Sequence, residues 1–166
     1  GLTNGWVSGG TTGIFQMFKR ATGFFDVVAY TGNYTARTIN HNLGVTPELM
    51  IVKSRTNGAR YWMVYSSAIG NDRYLVVNDN WAQSSSGETL WNSTTPTSAV
   101  FSVGAQNATN ENSQDYIAYL FATLAGVSKA GSYTGTGSNV DVDCGFSAGA
   151  RFILIKRSDS TGDWYV

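Results

Sequence analysis

Short hydrophobic runs separated by turn-forming residues dominate the chain. The runs are rich in aromatic and β-branched residues, and Gly, Asn and Asp, which tolerate the backbone conformations of tight turns, stand between them. A short apolar run between turn signals is typical of a well-buried strand. The pattern predicts six strands, at residues 24–30, 49–53, 61–65, 74–77, 99–103 and 152–156.

One longer run requires a choice between strand and helix. In residues 115–123, Tyr116, Ala118, Leu120 and Ala122 alternate with a second set of mostly apolar residues, so both faces of a strand could be buried. We interpret this run as a strand, with a helix as the alternative. No other segment shows a sustained 3.6-residue apolar period. The sequence therefore predicts an all-β fold, an antiparallel β-sandwich of the jelly-roll or lectin-like type.

The chain also repeats itself. A Tyr-Thr-Gly turn, an apolar run that ends in Lys, and a Trp followed by apolar residues occur twice in the same order. The matched pairs are Tyr30 with Tyr133, Lys53 with Lys156, and Trp62 with Trp164. The first two pairs are 103 positions apart and the third pair is 102 positions apart. Such self-similarity predicts a tandem repeat of one structural unit.

The repeat divides the chain into three parts. Residues 1–22 are interpreted as the end of a preceding module or a linker, residues 23–126 as the first repeat, and residues 127–166 as the truncated start of the second. In both copies we expect the Trp to lie in the core and the Lys at the strand end to reach solvent. We also expect the continuation of the chain, or a neighbouring subunit, to cover the surface around residues 152–166.

Charged residues are few and balanced. They make up 13% of the chain, against about 25% in a typical domain, and 11 Lys and Arg face 11 Asp and Glu, so the net charge is zero. This balance argues against nucleic acid held by phosphate contacts, and it favours self-association, so we predict a homo-oligomer. A single cysteine, Cys144, excludes an intrachain disulfide. No apolar stretch reaches the length of about 20 residues that a membrane helix needs, so we expect no membrane insertion.

Residues capable of catalysis do not form a familiar set. The sole histidine, His41, is accompanied by no nucleophile motif, and we interpret it as a turn or interface residue. Cys144 lacks an activating partner and is interpreted as a small buried residue. Asp141 and Asp143 would share one face of a strand and could serve glycoside cleavage or bind a cation, but no third acid and no EF-hand spacing accompany them. We therefore predict no catalytic residue and no cofactor, and keep these two aspartates as candidate metal ligands.

Sugar binding is the chemistry that the composition favours. The chain has five Trp and nine Tyr, whose faces can stack on sugar rings while neighbouring amides and carboxylates bind hydroxyl groups. Two short segments combine both kinds of group. The candidate glycan-binding residues are Asn78, Asp79, Asn80, Trp81, Trp91 and Asn92. The alternative is that these Trp residues lie in the core or in a subunit interface.

Several long segments resemble a known group of proteins. Residues 41–53 resemble the HxLGVxPELIIVK segment of virion-associated proteins of tailed bacteriophages, especially marine ones. Residues 23–32, 91–104 and 115–122 and the Gly-Ser-Tyr-Thr-Gly turn at 131–135 continue the similarity, which extends over most of the chain from residue 23. Members of this group are tail-fibre, tail-tip or otherwise unassigned structural proteins that often follow a lectin-like sandwich domain. The resemblance supplies no catalytic residues.

The resemblance implies a structural protein of the virion. The expected role is in a tail fibre or another surface appendage, in assembly and attachment to the host surface, with other virion proteins and a host surface glycan as partners. The alternatives are a carbohydrate-binding adhesin module and a capsid decoration or fibre protein. A polysaccharide depolymerase is the last alternative, although we expect the chain not to be an enzyme.

Overall fold

The structure is a computed structural model that describes residues 16–166, and its fold is mostly β. A large antiparallel sheet forms the body of the protein. The strands are β1 (Phe25–Thr31), β2 (Arg37–Asn40), β3 (Leu49–Ser54), β4 (Met63–Ser66), β5 (Gly70–Val76), β6 (Val100–Val103), β7 (Asp115–Phe121), β8 (Ile155–Lys156) and β9 (Trp164–Tyr165). The two short helices are α1 (Gly87–Trp91) and α2 (Asn107–Asn110).

The main sheet has five strands in the order β1-β7-β3-β4-β5. Every neighbouring pair is antiparallel, and β7 lies between the first and third strands of the chain. One row of paired residues crosses the whole sheet, from Val28 through Ala118, Val52 and Met63 to Val76. Because directly paired residues share a face, this row defines the inner face of the sheet.

The inner face packs against a second layer made of the β2–β6 ribbon and the two helices. The largest fully buried side chains come from both layers, with Tyr65 and Tyr116 from the sheet and Trp91 and Phe101 from the second layer. Within the second layer, β6 and α1 approach closely at Gly104, where a Cβ atom would collide with the Thr89 carbonyl oxygen. Glycine at this position therefore lets β6 end against α1.

The outer face of the sheet is also apolar. Its central row runs from Val27 through Tyr119, Ile51 and Val64 to Leu75. Val64 and Leu75 are buried, whereas the first three residues of the row are only half-buried. A groove of about 390 Å³ runs along the half-buried residues of this row. It is lined by Gln16, Phe18, Phe25, Val27, Ile51, Trp62, Val77, Tyr119 and Phe121.

Two local geometries occur twice at the spacing of the sequence repeat. Ala21 N–H donates to Phe25 O and Phe25 N–H donates to Ala21 O, and Leu124 and Ser128, 103 positions later, exchange the same two bonds. The paired turns also share a glycine with positive φ, at Gly23 and Gly126.

The second repeated geometry is a hairpin. Val52 of β3 pairs with Met63 of β4, and Ile155 of β8 pairs with Tyr165 of β9. The first residues of these two pairs are 103 positions apart and the second residues 102, which are the same offsets as in the sequence. The two hairpins are therefore built in the same register.

Most strand predictions are confirmed. Strands lie in the five predicted segments between residues 24 and 103, and residues 115–121 form a strand rather than a helix. The predicted strand at 152–156 is reduced to Ile155–Lys156. Asp141 and Asp143 lie outside any regular strand, so the expectation that they share a strand face is wrong. In the sequence repeat these residues match β2, which is held by β6, whereas residues 127–166 contain no strand that pairs with residues 140–143.

Candidate functional site

The segment that follows the edge strand β5 forms a polar loop. Val77 N–H donates to Trp62 O (3.1 Å), and Asn78 Oδ1 accepts the N–H of Trp62 (2.9 Å), so the loop is fixed to the start of β4. Asp79 Oδ1 accepts the N–H of Asn80 (2.8 Å) within the loop itself. These bonds hold three consecutive polar residues, 78–80, at the edge of the sheet.

The β8–β9 hairpin packs against this loop. The indole N–H of Trp164 donates to Val76 O (2.7 Å) at the end of β5, and Gly162 N–H donates to Asn80 O (2.9 Å). Gln83 N–H donates to the carbonyl oxygen of Ser158 (2.8 Å). The β8–β9 hairpin is therefore bound to the edge of the main sheet and to the loop after β5 by both side-chain and backbone hydrogen bonds.

Lys156 contributes to the same contact. Its ammonium group donates to the carbonyl oxygens of Arg157 (2.8 Å) and Asn80 (3.4 Å). Burial lowers the pKa of Lys156, an effect that nearby Asp163 opposes and Arg157 reinforces. The corresponding Lys53 donates to three carbonyl oxygens of the β3–β4 loop, including that of Arg60 (2.7 Å). Both Lys residues thus bind loop carbonyls, rather than simply reaching solvent as the sequence suggested.

A concavity of about 440 Å³ lies between the loop and the hairpin. It is lined by Val77, Asn78, Asp79, Asn80, Asp163 and Trp164. Two carboxylates and two amides supply both acceptors and donors, and one indole ring supplies an apolar surface. Neither carboxylate takes part in an ion pair within residues 16–166. This combination of groups can bind a ligand that carries several hydroxyl groups.

An exposed aromatic pair stands next to the concavity along the chain. The rings of Tyr61 and Trp81 are 5.0 Å apart at 58°, and each residue is 40% exposed. Trp81 directly follows Asn80, and Tyr61 directly precedes the residue whose N–H binds Asn78. Large aromatic side chains usually bury most of their surface, so an exposed pair beside polar groups is suited to contact with a ligand.

The structure divides the six predicted glycan-binding residues into two groups. Asn78, Asp79 and Asn80 line one concavity, with Trp81 next to them. Trp91 is fully buried and its indole N–H donates to Arg73 O (3.0 Å), so the prediction that it contacts a ligand is wrong.

Asn92 also departs from the prediction. It ends α1 in a left-handed conformation with φ of 53° and is exposed, but it does not line the concavity. The pairing of Trp and Asn at residues 91–92 therefore reflects the end of a helix.

The candidate metal ligands do not form a site. Asp141 and Asp143 are exposed, and Asp143 Oδ1 accepts the N–H of Gly145 (2.8 Å), which is a local turn contact. Within residues 16–166, no three His, Cys, Asp or Glu side chains come close enough together to hold an ion. Over the same residues, no helix is long and apolar enough to cross a membrane.

His41 is buried and both of its ring nitrogens have partners. Nε2 lies 3.1 Å from Thr97 O, and Nδ1 accepts the N–H of Leu43 (3.2 Å), so the proton resides on Nε2. Burial lowers the pKa of His41, although the bond to Thr97 and the charge of Asp26 act in the opposite direction. The neutral ring thus connects the end of β2 to the loop before β6. Cys144 is half-buried in the irregular segment that precedes β8.

Sequence reasoning missed three residues of the site. The prediction for the 78–81 segment did not include Tyr61, Asp163 and Trp164. Asp163 is more than 80 positions away along the chain, so no local pattern could connect it to this segment. The repeat did identify Trp164 as the counterpart of Trp62, but it assigned both residues to the core. Both are only half-buried, so that assignment is wrong.

The fold and the site define a mostly β protein, built on a large antiparallel sheet, with a polar concavity at one sheet edge. Residues 8–166 match the family described as Domain of unknown function (DUF7483), and the chain belongs to this family. No curated protein and no solved structure matches the chain significantly.

Proposed function

We propose that the chain is a structural repeat module of a bacteriophage virion, in a tail fibre or another surface appendage. It would act in assembly and host attachment, without catalysis, together with other virion proteins and further copies of itself. The observation that carries the proposal is the repeated geometry. The turns at 21–25 and 124–128 and the hairpins β3–β4 and β8–β9 have matching hydrogen bonds or registers. Modules repeated in one chain are typical of extended assemblies.

The proposal includes a finer description of the fold. The two packed layers would form a sandwich of the jelly-roll or lectin-like type, with the first repeat at residues 23–126 and the second beginning at residue 127. The apolar outer face of the main sheet supports the division into repeats. Residues 16–166 leave this face partly uncovered, and such a face is suited to contact with a further repeat. The resemblance of residues 41–53 to virion-associated proteins supplies the virion as location.

Immunogold electron microscopy tests the proposed location. Antibodies raised against the purified chain should label an appendage of particles of the phage that encodes it. Label over the capsid surface would favour the capsid decoration protein instead, and intact particles without label would contradict both. Antibody preincubated with excess purified chain, which fills its binding sites, provides the control for specific labelling.

A carbohydrate-binding module is the second candidate function. It is supported by the exposed Tyr61–Trp81 pair and by the polar groups of residues 78–80 and Asp163. A host surface glycan would stack on the aromatic pair while its hydroxyl groups bind the amides and carboxylates. The two candidates are compatible, because an appendage that attaches to a host needs a receptor site.

Replacing Trp81 with alanine is expected to weaken glycan binding at least about tenfold, or ~1.4 kcal/mol, because the stacking surface is lost. Binding is measured by titrating a glycan that a glycan array identifies. Asn92→Ala is the matched control, since Asn92 was a sequence candidate but lies outside the concavity. Equal losses in both variants would contradict the site. Release of reducing sugar from host polysaccharide, abolished by Asp141→Asn, would indicate a depolymerase.

A further inference from the structure

The two hairpins that share a register place a tryptophan at the same position. Trp62 directly precedes Met63, the partner of Val52, and Trp164 directly precedes Tyr165, the partner of Ile155. The indole N–H of Trp164 donates to Val76 O at 2.7 Å. Within residues 16–166, the Trp62 indole N–H donates no hydrogen bond, whereas the backbone N–H of Trp62 donates to Asn78 Oδ1. One of two equivalent positions is therefore occupied and the other is open.

The occupied position shows what a hairpin of this kind binds. The hairpin that carries Trp164 contacts the end of the edge strand β5 and the loop after it, through Val76 O and Asn80 O. This segment, residues 76–80, is called the edge segment below. The contact joins the second sequence copy to the first, so the chain contains one example of a hairpin from one unit docked on the edge segment of the preceding unit.

The open position lies on an apolar surface. The Trp62 ring stacks on Tyr119 at 6.4 Å and 14°, and both line the groove on the outer face together with Val27 and Ile51. Half-buried apolar side chains around an indole N–H without a partner suit a partner that brings apolar residues and a backbone carbonyl group. The edge segment has both, because Val77 supplies a half-buried apolar side chain and Val76 supplies a backbone carbonyl group.

We propose that the outer face around Trp62 binds the edge segment of a second copy of this chain, as Trp164 binds the edge segment within the chain. This inference rests on the proposed repeat. The contact joins two different surfaces, so it is heterologous, and successive copies add head to tail into a fibre. In the intact chain the edge segment is already covered by its own β8–β9 hairpin. Association in trans therefore requires that this hairpin be displaced.

Trp164→Ala tests the proposal because it frees Val76 O and weakens the docking of the β8–β9 hairpin on the edge segment, while Trp62 stays in place. The full-length variant should self-associate, with a sedimentation coefficient that rises with protein concentration more steeply than that of the wild type. In Trp62→Phe/Trp164→Ala, which loses the open indole N–H but keeps a ring, the association should be about three- to tenfold weaker. The matched control is Trp81→Phe/Trp164→Ala, which should associate like the single variant.

Each result decides for or against the proposal. A Trp164→Ala variant that stays monomeric, or equal association of the two double variants, would overturn it. Circular dichroism shows whether Trp164→Ala folds. If it does not, Trp164→Phe, which removes the indole N–H but keeps an aromatic ring, takes the place of Trp164→Ala in the single variant and in both double variants.

Hydrogen–deuterium exchange distinguishes failure of this inference from failure of the proposed repeat. Faster exchange at residues 76–80 and in β8–β9 of Trp164→Ala shows that the hairpin docks within the chain, as the repeat requires. Unchanged exchange would contradict the proposed repeat and this inference together. Faster exchange without Trp62-dependent association would overturn this inference alone.

Discussion

Replacing Trp91 with alanine is expected to lower the free energy of unfolding by about 3–5 kcal/mol. The side chain is fully buried between the sheet and the second layer, and it meets Tyr65 edge to face at 6.0 Å. Its removal leaves a cavity that a close-packed core cannot fill, and it also leaves the carbonyl oxygen of Arg73 without its donor at 3.0 Å.

Chemical denaturation with matched tryptophan variants measures this effect. Trp81→Ala is the control, because Trp81 is 40% exposed and its replacement should change the free energy of unfolding by only about 0.5 kcal/mol. Glycan titration of the same two proteins should show the reverse order, with binding lost in the control and kept in Trp91→Ala wherever that variant is folded. A loss below about 1 kcal/mol for Trp91→Ala would contradict its place in the core.

This pair of residues shows why the sequence could not settle the candidate site. Trp81 and Trp91 both stand next to Asn in polar surroundings, and nothing local separates them. The difference arises because residues 87–91 form a five-residue helix that turns Trp91 toward the sheet. A helix of one turn and a half is too short to produce a detectable apolar period. Burial of Trp91 therefore depends on contacts with distant strands.

Strands were predictable where aromatic and β-branched residues form a continuous apolar run. β3 and β7 are such runs, and the structure shows that every second residue in them is buried. β2 was missed because only Ile39 of its four residues is buried, and its other contacts are backbone bonds to β6. The strand order was not predictable, since it depends on β7 inserting between β1 and β3.

The repeat was a more informative signal than any single motif. It located Trp164 and Lys156 as counterparts of Trp62 and Lys53, and the same spacing recurs in the hydrogen bonds of the turns and hairpins. It could not indicate which partner each counterpart binds. Lys53 binds carbonyl groups of its own loop, whereas Lys156 also reaches Asn80, 76 positions away along the chain. Residues matched by the sequence repeat thus make different contacts, because different segments lie beside the two hairpins.

A second buried residue, Asn110, was not predicted, and it joins the segment after β6 to the β1–β2 loop, 75 positions away along the chain. It is fully buried, and its Nδ2 donates to Thr35 O (2.8 Å) and Gly104 O (3.0 Å). Its Oδ1 accepts the N–H of Asn33 at 3.1 Å. One side chain therefore satisfies three backbone groups that water cannot reach easily, in the β1–β2 loop and after β6.

Asn110→Asp is expected to lower the free energy of unfolding by at least about 3 kcal/mol at neutral pH. A carboxylate cannot donate a hydrogen bond, so it would face the carbonyl oxygens of Thr35 and Gly104 with its negative charge. Desolvation raises the pKa of a buried carboxyl group in the folded protein above its unfolded value. The folded state then binds the proton more tightly, so the loss should be largest at neutral pH and should shrink as the pH falls through the raised pKa.

Urea denaturation at several pH values measures this dependence, with Asn112→Asp as the matched control. Asn112 lies two positions along the chain and is exposed, so the same substitution there should change the free energy of unfolding by only about 0.5 kcal/mol. Equal losses at both positions would contradict the three-bond arrangement of Asn110. A loss in free energy of unfolding that does not diminish at acidic pH would show that the missing hydrogen-bond donor, rather than the buried charge, accounts for the effect. Protonation removes the charge of the carboxylate, but it supplies one O–H donor where the amide of Asn110 supplies two N–H donors.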